Sequence, residues 1–372
     1  MSDTLTYDPI YQTVRSDDFP AMLDVDRFGA RSDAFDEIIS ATHDHFWDPN
    51  DRRYLEFEQP FDLANETVMP RSFVVELNCA VADRLDEKQQ RELANASSRW
   101  MISSLLHGEQ GALSLSASLC HVLRDPGAQE YAANQTREEA RHVTAFARYV
   151  QSRFGTPYPC GRTLSTLLHE LVSSEEVYKK LIGMQMLVEG LAMGAFATLH
   201  SKTNDPLLRR MVQLVMTDEA FHHKFGKIWA DRTVPKLTEE EHEKAELWAA
   251  KCFQTLLFNL VNSEQKQVIY EPFGLDWQWV RSAVLEAFSD ADRRRAMTEG
   301  TNIFRVLIKT LLKAGIITER TRPIYAAWVD MDELSRESDE VAGQAIADAG
   351  VEELRALNQG RRPIGRAQKR QA

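Results

Sequence analysis

The chain has 372 residues, enough for one large domain or for two, and its formal net charge of -12 at pH 7 argues against nucleic acid as a partner. Four cysteines without a Cys-x-x-Cys spacing provide neither a rubredoxin-type iron centre nor a set of disulfides, which favours a reducing, cytoplasmic compartment. The N-terminal residues lack a positive region followed by an apolar core, and no run of 18 apolar residues occurs. Neither a secretory signal nor a membrane span is therefore predicted.

Residues 1–85 are predicted to form an arm with short helices. Residues 31–46 have helical spacing and end in a turn at 47–50, and the stretch 54–60 followed by Pro70 favours an extended wrap against the rest of the protein. We interpret His43 and His45, which lie in this arm, as surface or capping residues rather than metal ligands.

Residues 86–236 are predicted to form a four-helix bundle. Asp125-Pro126 and Asp205-Pro206 each predict a turn and a new helix, because Asp caps free backbone N–H groups and Pro fits the first helical position. The predicted helices are 86–124, 125–154, 175–200 and 205–233, with a short helical piece at 164–171 between the second and the third. A long connection between the second and third helices is expected if these two helices are parallel.

Residues 237–358 are predicted to add helices that extend the core or form a dimer surface. The predicted helices cover 237–261, 276–288, 290–314 and 318–357, and we assign no chemistry to them. Residues 359–372 contain a Gly-Arg-Arg-Pro sequence and are expected to form a disordered basic tail.

Within the bundle, one pattern occurs twice at an offset of 80 residues. Each copy has a single Glu, then Asp-Pro, then Glu-x-x-His: the first contains Glu109, Glu139 and His142, and the second contains Glu189, Glu219 and His222. In antiparallel helices the two Glu of a copy lie at one height, roughly 20 Å from the turn, and Glu and His at i, i+3 share a face. The sequence therefore predicts that four carboxylates and two imidazoles meet inside the bundle.

Such a set is used by carboxylate-bridged dimetal sites in four-helix bundles. Oxygen-rich ligation with one His per metal suits iron or manganese better than zinc and leaves positions open for O2 or water. The side chains beside the two single Glu are small, which either permits close helix packing or leaves room for O2 and substrate.

The motif resembles that of the ferritin-like diiron-carboxylate superfamily. This includes ribonucleotide reductase small subunits, multicomponent monooxygenase hydroxylases, acyl carrier protein desaturases and arylamine N-oxygenases. The resemblance implies an all-α, ferritin-like four-helix bundle with N- and C-terminal helical extensions, which holds two Fe ions or Mn with Fe. The implied ligands are Glu109, Glu139, His142, Glu189, Glu219 and His222. It also implies that Glu138 and Asp218 each hold the His of the opposite copy. Arg141 is similar to the Arg in the Glu-x-Arg-His of the multicomponent hydroxylases.

Two positions bear on the subfamily. The reductase subunits that the motif resembles have a radical-bearing Tyr just downstream of the first Glu-x-x-His. Here Phe146 lies four residues after His142, so a radical of that type is not expected. Val215 lies where arylamine N-oxygenases have an additional His, which makes N-oxygenation less favoured. His107 and His223 lie off the predicted metal face.

These patterns predict an O2-dependent diiron oxidoreductase that hydroxylates, desaturates or otherwise oxidises a small organic substrate, with an electron donor such as a ferredoxin or a flavin reductase. The alternatives are a ferroxidase or peroxide-detoxifying protein and a helical scaffold without chemistry. The residues that share the metal face are expected to line a substrate pocket, or else to be core: Ala112, Leu113, Ser116, Phe146, Ala192, Met193 and Phe196.

Overall fold

A computed structural model describes residues 6–289, 292, 302–338 and 343–359, and these residues form the predicted all-α fold. The β-pairing found in these ranges consists of two isolated bridges, Asp8 with Thr13 and Thr13 with Leu123. The α-helices in these ranges are α1 (Phe19–Met22), α2 (Asp26–Gly29), α3 (Asp36–Asp44), α4 (Glu87–Val122), α5 (Pro126–Phe154), α6 (Arg162–Ser173), α7 (Val177–Lys180), α8 (Glu189–Lys202), α9 (Pro206–Thr233), α10 (Glu239–Val261), α11 (Gln267–Tyr270), α12 (Trp277–Ala287), α13 (Ile303–Lys313), α14 (Arg322–Ala326), α15 (Met331–Arg336) and α16 (Gln344–Asn358). Single 3-10 turns occupy Asp33–Phe35, Arg71–Phe73, Val75–Asn78, Ala82–Arg84, Val234–Lys236, Ser263–Lys266 and Glu271–Phe273, and a π-helical segment covers Leu181–Val188.

Three of the bundle helices begin at an Asp cap. Asp86 accepts a hydrogen bond from the backbone N–H of Gln89 at 2.8 Å, and the Gln89 side chain accepts one from the N–H of Asp86 at 3.0 Å, which completes a capping box. Asp125 caps α5 and Asp205 caps α9, each by accepting from the N–H two residues later. The predicted Asp-Pro turns are therefore present at both places.

A polar layer divides the interior of the bundle into two apolar cores. One core contains Leu106, Phe146, Phe196 and Val212, and the other contains Leu115, Ala132, Leu187 and Phe225. The residues that follow His142 in α5 and those that follow Glu189 in α8 enter the same core. These two helices therefore run parallel, as predicted, and the crossover between them contains α6.

The third bundle helix differs from the prediction of one regular helix over 175–200. It consists of α7, the π-helical Leu181–Val188 and α8, in a continuous helical run. Residues around the whole circumference of the π segment are buried, so the sequence there has no polar face whose period could show the wider turn. The backbone of Gln185 lies against Gly226 of α9, where an added Cβ would be 3.0 Å from the Gln185 carbonyl oxygen.

By length and composition the run Val177–Lys202 is apolar enough to cross a membrane, which the count of consecutive apolar residues did not indicate. However, 78% of its most apolar window is buried inside the protein. That burial is typical of a helix at the centre of a bundle.

The N-terminal arm lies against the bundle. Trp47, Tyr54, Leu55 and Phe57 are buried in the same core as Phe146. The predicted wrap is thus observed, although it is formed by turns rather than by a strand in the described part of the chain.

The C-terminal helices pack on the outside of α8 and α9. Added Cβ atoms at Gly190 and Gly194 of α8 would lie 3.4 Å from Leu307 and Ile303 of α13. At Gly111 of α4, an added Cβ would lie 2.6 Å from Leu168 of α6. These small residues therefore permit close helix packing, the first of the two roles predicted for them.

The prediction of one helix over 318–357 is wrong. Asp330 caps a new helix, α15, by accepting from the N–H groups of Asp332 and Glu333, and Gly343 has φ 85 just before α16. A glycine adopts that conformation without steric cost, so the chain turns there. Of the predicted helix 290–314, residues 292 and 302–314 are described, and they include α13. The predicted tail lies outside the described residues apart from Gln359. The predicted domain boundaries at residues 85 and 236 stay predictions.

Candidate metal centre

The polar layer consists of six side chains from four helices. Each has at most 6% of its surface exposed: Glu109 from α4, Glu139 and His142 from α5, Glu189 from α8, and Glu219 and His222 from α9. They form two overlapping groups, in each of which the candidate ligand atoms lie within 4.8 Å of one another. The first group holds Glu109 and His142, the second holds Glu189 and His222, and both include Glu139 and Glu219.

The two shared carboxylates span both groups. Glu139 places Oε1 3.0 Å from Nδ1 of His222 and Oε2 3.4 Å from Nδ1 of His142. Glu219 places Oε1 3.1 Å from Nδ1 of His142 and Oε2 3.3 Å from Nδ1 of His222. Glu139 and Glu219 thus lie between the two imidazoles and could serve two metal ions, with Glu109 in the group of His142 and Glu189 in the group of His222.

The outer nitrogen of each imidazole is held by a carboxylate of the opposite copy. Nε2 of His142 lies 2.8 Å from Oδ2 of Asp218, and Nε2 of His222 lies 2.9 Å from Oε2 of Glu138. These are the contacts that the resemblance implies. A ring that donates its Nε2 proton outwards can present the lone pair of Nδ1 to a metal ion held by the shared carboxylates, which is the tautomer that a metal ligand requires.

Asp218 is the centre of a buried hydrogen-bond network. It accepts from Nε1 of Trp47 at 2.9 Å and from Nε of Arg141 at 2.9 Å, and Nη2 of Arg141 contacts its other oxygen. Although burial opposes ionisation, Arg141 and the hydrogen bonds from His142 and His45 hold the pKa of Asp218 well below its usual range. Arg141 also lies 3.7 Å from Glu138, so one guanidinium compensates both outer carboxylates.

The surface interpretation of His45 is wrong. This residue follows the end of α3 as its C-cap, but its side chain is 1% exposed, and its Nε2 lies 3.1 Å from Oδ1 of Asp218. Its ring stacks on Phe221 at 5.1 Å between centroids. The contact joins residues 173 positions apart, which no local pattern could indicate. His43 is exposed, as predicted.

Sequence reasoning also missed two buried amides. Gln135 and Gln185 precede Glu139 and Glu189 by four residues, and both are fully buried. Nε2 of Gln135 lies 3.2 Å from Oε1 of each of these two carboxylates. The four-residue spacing places a side chain on the same helical face as the Glu, and this signal was available in the sequence.

The charges of the layer shift its protonation. Burial raises the pKa of Glu109 to about 8 and that of Glu189 well above its usual range. Burial alone would lower the pKa of His142 and His222, but the surrounding carboxylates raise both well above the usual value. The layer without metal therefore holds protons that metal ions would displace, because carboxylate and imidazole ligands bind a metal in their unprotonated forms.

The donor atoms of the layer fit two metal ions. Oε2 of Glu139, both side-chain oxygens of Glu219 and Nδ1 of His222 are buried and make no hydrogen bond in the described part of the chain, although each lies 3.0–3.4 Å from another polar atom of the layer. Burying polar groups without hydrogen bonds is unfavourable, so a function other than packing is expected for these atoms. Four carboxylates with one imidazole per position suit Fe or Mn.

The residues predicted to line one pocket are divided between the two apolar cores: Ala112 belongs to the core of Leu115, whereas Phe146, Ala192, Met193 and Phe196 belong to the other core. Ala112, Ser116, Phe146, Ala192, Met193 and Phe196 are buried, and Leu113 is half-buried. Phe146 and Phe196 stack at 5.7 Å between ring centroids. That these residues line a pocket for substrate stays a prediction.

His107 and His223, which were predicted to lie off the metal face, are outside both groups. Nε2 of His107 contacts the backbone oxygen of Tyr158 at 2.9 Å. Burial lowers the pKa of His223 to about 4.

Comparison with known proteins adds a likeness of fold. No protein-family model matches the chain, and no curated protein matches it. Among solved structures, it is similar to an R2-like ligand-binding oxidase with an aerobically reconstituted metal cofactor after photoconversion, at 15% identity and a TM-score of 0.42, over 69% of this chain and 91% of that one. A variant of that oxidase with an anaerobically reconstituted Mn/Fe cofactor matches at 16% identity and 0.44, over 69% and 91%. Another variant, with an Fe/Fe cofactor, matches at 16% and 0.42, over 69% and 90%.

The chain is an all-α protein with structural similarity to an R2-like ligand-binding oxidase, and it contains a buried Glu/His layer. At these identities and TM-scores the likeness concerns the fold alone. The assignment of the six side chains therefore rests on their own geometry.

Proposed function

We propose that the protein is an O2-dependent dimetal oxidoreductase that oxidises a small organic substrate by hydroxylation, desaturation or a related two-electron reaction. The metals would be two Fe ions, or Mn with Fe. The observation that carries this proposal is the pair of shared carboxylates, Glu139 and Glu219, each with one oxygen toward each imidazole. An electron donor such as a ferredoxin or flavin reductase, and a cytoplasmic location, belong to the same proposal.

The protein's own side chains would bind, orient and enclose the metals. Glu109 and His142 would hold one, Glu189 and His222 the other, and Glu139 and Glu219 both. When bound, such metals supply one-electron redox changes and positions for O2. The apolar cores on both sides of the layer would exclude water, which limits side reactions of an activated oxidant.

The competing function is that of a ferroxidase, in which iron itself is the substrate. The two functions differ in what they need beside the metals: an oxidase of organic molecules needs an apolar cavity, whereas a ferroxidase needs a polar path for iron. Ala192 is 9% exposed and follows the terminal ligand Glu189 by three residues, so its side chain is a suitable point at which to distinguish them.

The first prediction concerns the substitution Ala192→Phe. The added ring should fill the space next to the metals and abolish oxidation of organic substrate, while two metals still bind per chain. Iron-loaded, reduced protein would be incubated with a metabolite extract and ¹⁸O2, and mass spectrometry would detect products that gain ¹⁸O or lose two hydrogens. Ala133→Phe is the control, because it places the same ring at an exposed position of α5.

Normal product formation by the Ala192→Phe protein would remove this pocket from the proposal. If wild-type protein forms no organic product and continues to take up iron beyond two per chain, the ferroxidase function replaces the oxidase.

A further inference from the structure

Gln135 and Gln185 form a chain of amides that ends at the metal-facing carboxylates. Nε2 of Gln185 donates to Oε1 of Gln135 at 3.0 Å. Nε2 of Gln135 in turn lies 3.2 Å from Oε1 of Glu139 and 3.2 Å from Oε1 of Glu189. Both amides are fully buried, and Gln185 belongs to the π-helical segment.

The direction of this chain follows from the carboxylates. A metal-bound carboxylate has no proton to donate, so Gln135 must present its NH2 group to Glu139 and Glu189. Its carbonyl oxygen then points to Gln185, which must present its own NH2 group. The carboxylates therefore determine the orientation of both amides. Two successive hydrogen bonds connect these carboxylates to Gln185 in the π-helical segment.

The two amides are connected to one half of the centre. The Glu139 oxygen that Gln135 contacts is the one 3.0 Å from Nδ1 of His222, and Glu189 is the terminal carboxylate of the His222 group. At the offset of 80 residues, the counterparts of Gln135 and Gln185 are Val215 and Leu105. The half that contains His142 therefore has apolar side chains where the half that contains His222 has two amides.

We propose that Gln135, oriented by Gln185, is a positioning residue for the His222 half of the centre and makes the two metal positions unequal. Its two N–H groups hold the terminal carboxylate Glu189 and one oxygen of the bridging carboxylate Glu139 in a fixed relation. The inference rests on the proposed function, since it requires two metals.

The test compares metal binding to the two positions. Apoprotein would be titrated anaerobically with ⁵⁷Fe(II), and Mössbauer spectra would follow the doublets of the two positions. Gln135→Leu should weaken binding at the His222 half by about 10–100-fold, the usual effect of removing an outer hydrogen-bond partner, and leave the other half within a few-fold of wild type. It should also change the quadrupole splitting of the affected doublet.

Gln185→Leu should act in the same direction but less, because it leaves the amide of Gln135 in place. The double variant should bind no more weakly than Gln135→Leu, since the two amides act as a unit. Val215→Leu is the matched control: it changes the residue four positions before Glu219 from one buried apolar side chain to another, and it should retain both metals.

If Gln135→Leu weakens metal binding equally at both positions, or at neither, the inference is overturned. The dimetal centre itself would still be upheld in that case if wild-type protein binds two metals. If circular dichroism shows that Gln135→Leu is unfolded, Gln185→Leu decides by the same criterion. Wild-type protein that binds fewer than two metals would overturn both the proposed function and this inference.

Discussion

At the scale of single residues, the redox function proposed for the site depends on which phenols lie near it. Phe146, four residues after His142, is fully buried and cannot store a phenoxyl radical. Tyr131 is also fully buried and stacks on Phe225 at 5.0 Å between ring centroids. Its O–H has no acceptor among the described residues, and burial raises its pKa well above the usual value.

We therefore predict that no tyrosyl radical persists after Fe(II)-loaded protein is mixed with O2. Formation of a neutral phenoxyl radical requires an acceptor for the phenol proton, and the structure provides none for Tyr131. Electron paramagnetic resonance of frozen samples would check this. A long-lived, high-yield tyrosyl signal that disappears in Tyr131→Phe would contradict the prediction and direct the function toward radical storage.

The residues around the centre differ in how far the sequence could predict them. The six metal-facing side chains follow from the repeat at 80 residues, because helical geometry converts equal spacing into equal depth. Trp47 and His45 could not be found in this way, since they reach Asp218 from an arm with no period related to the bundle. Gln135 could have been predicted from the sequence, because it lies four residues before Glu139 and therefore on the same face of the helix.

At the scale of elements, the Asp caps differ in what else they bind. Asp86 is exposed and only caps α4, whereas Asp205 is fully buried. Besides capping α9, Asp205 accepts from the hydroxyl of Tyr149 at 2.8 Å and from Nε of Arg153 at 2.6 Å. It thus joins the end of α5 to the start of α9.

Asp205→Ala should lower the free energy of unfolding by about 3–5 kcal/mol, because it leaves a buried cation and a phenol without their partner. Asp86→Ala is the matched control and should cost only about 1 kcal/mol, the usual loss for a helix cap. Urea denaturation at a fixed metal concentration would measure both. Equal losses for the two variants would show that the ion pair of Asp205 adds nothing to its cap.

The elements that the sequence did not predict are those whose cause is not local. In the π-helical segment Leu181–Val188 all residues but Val188 are buried, so the period of hydrophobic residues carries no information there. The break between α15 and α16 depends on Gly343, whose added Cβ would lie 2.3 Å from the Met216 side chain of α9. A single glycine in an otherwise helical pattern does not by itself indicate such a contact.

At the scale of the whole molecule, the fold places a charged layer between two apolar cores. Such a layer is costly in an interior, since buried charges require partners. Arg141 compensates the outer carboxylates Glu138 and Asp218, while the raised pKa of Glu109 and Glu189 shows that protons are held among the inner carboxylates. Two divalent cations bound between Glu139 and Glu219 would take the place of these protons.

Metal content and metal separation in wild-type, Glu139→Ala and Glu219→Ala proteins would show whether two metals bind between these carboxylates. Reconstituted wild-type protein should contain two metals per chain, at a separation below about 4 Å in X-ray absorption spectra, as in other two-metal sites. Either substitution removes a carboxylate shared by both positions, so each should abolish the metal–metal scattering, whereas Glu286→Ala at an exposed position of α12 should retain it. Two metals at the wild-type separation in both the Glu139→Ala and the Glu219→Ala protein would contradict the account.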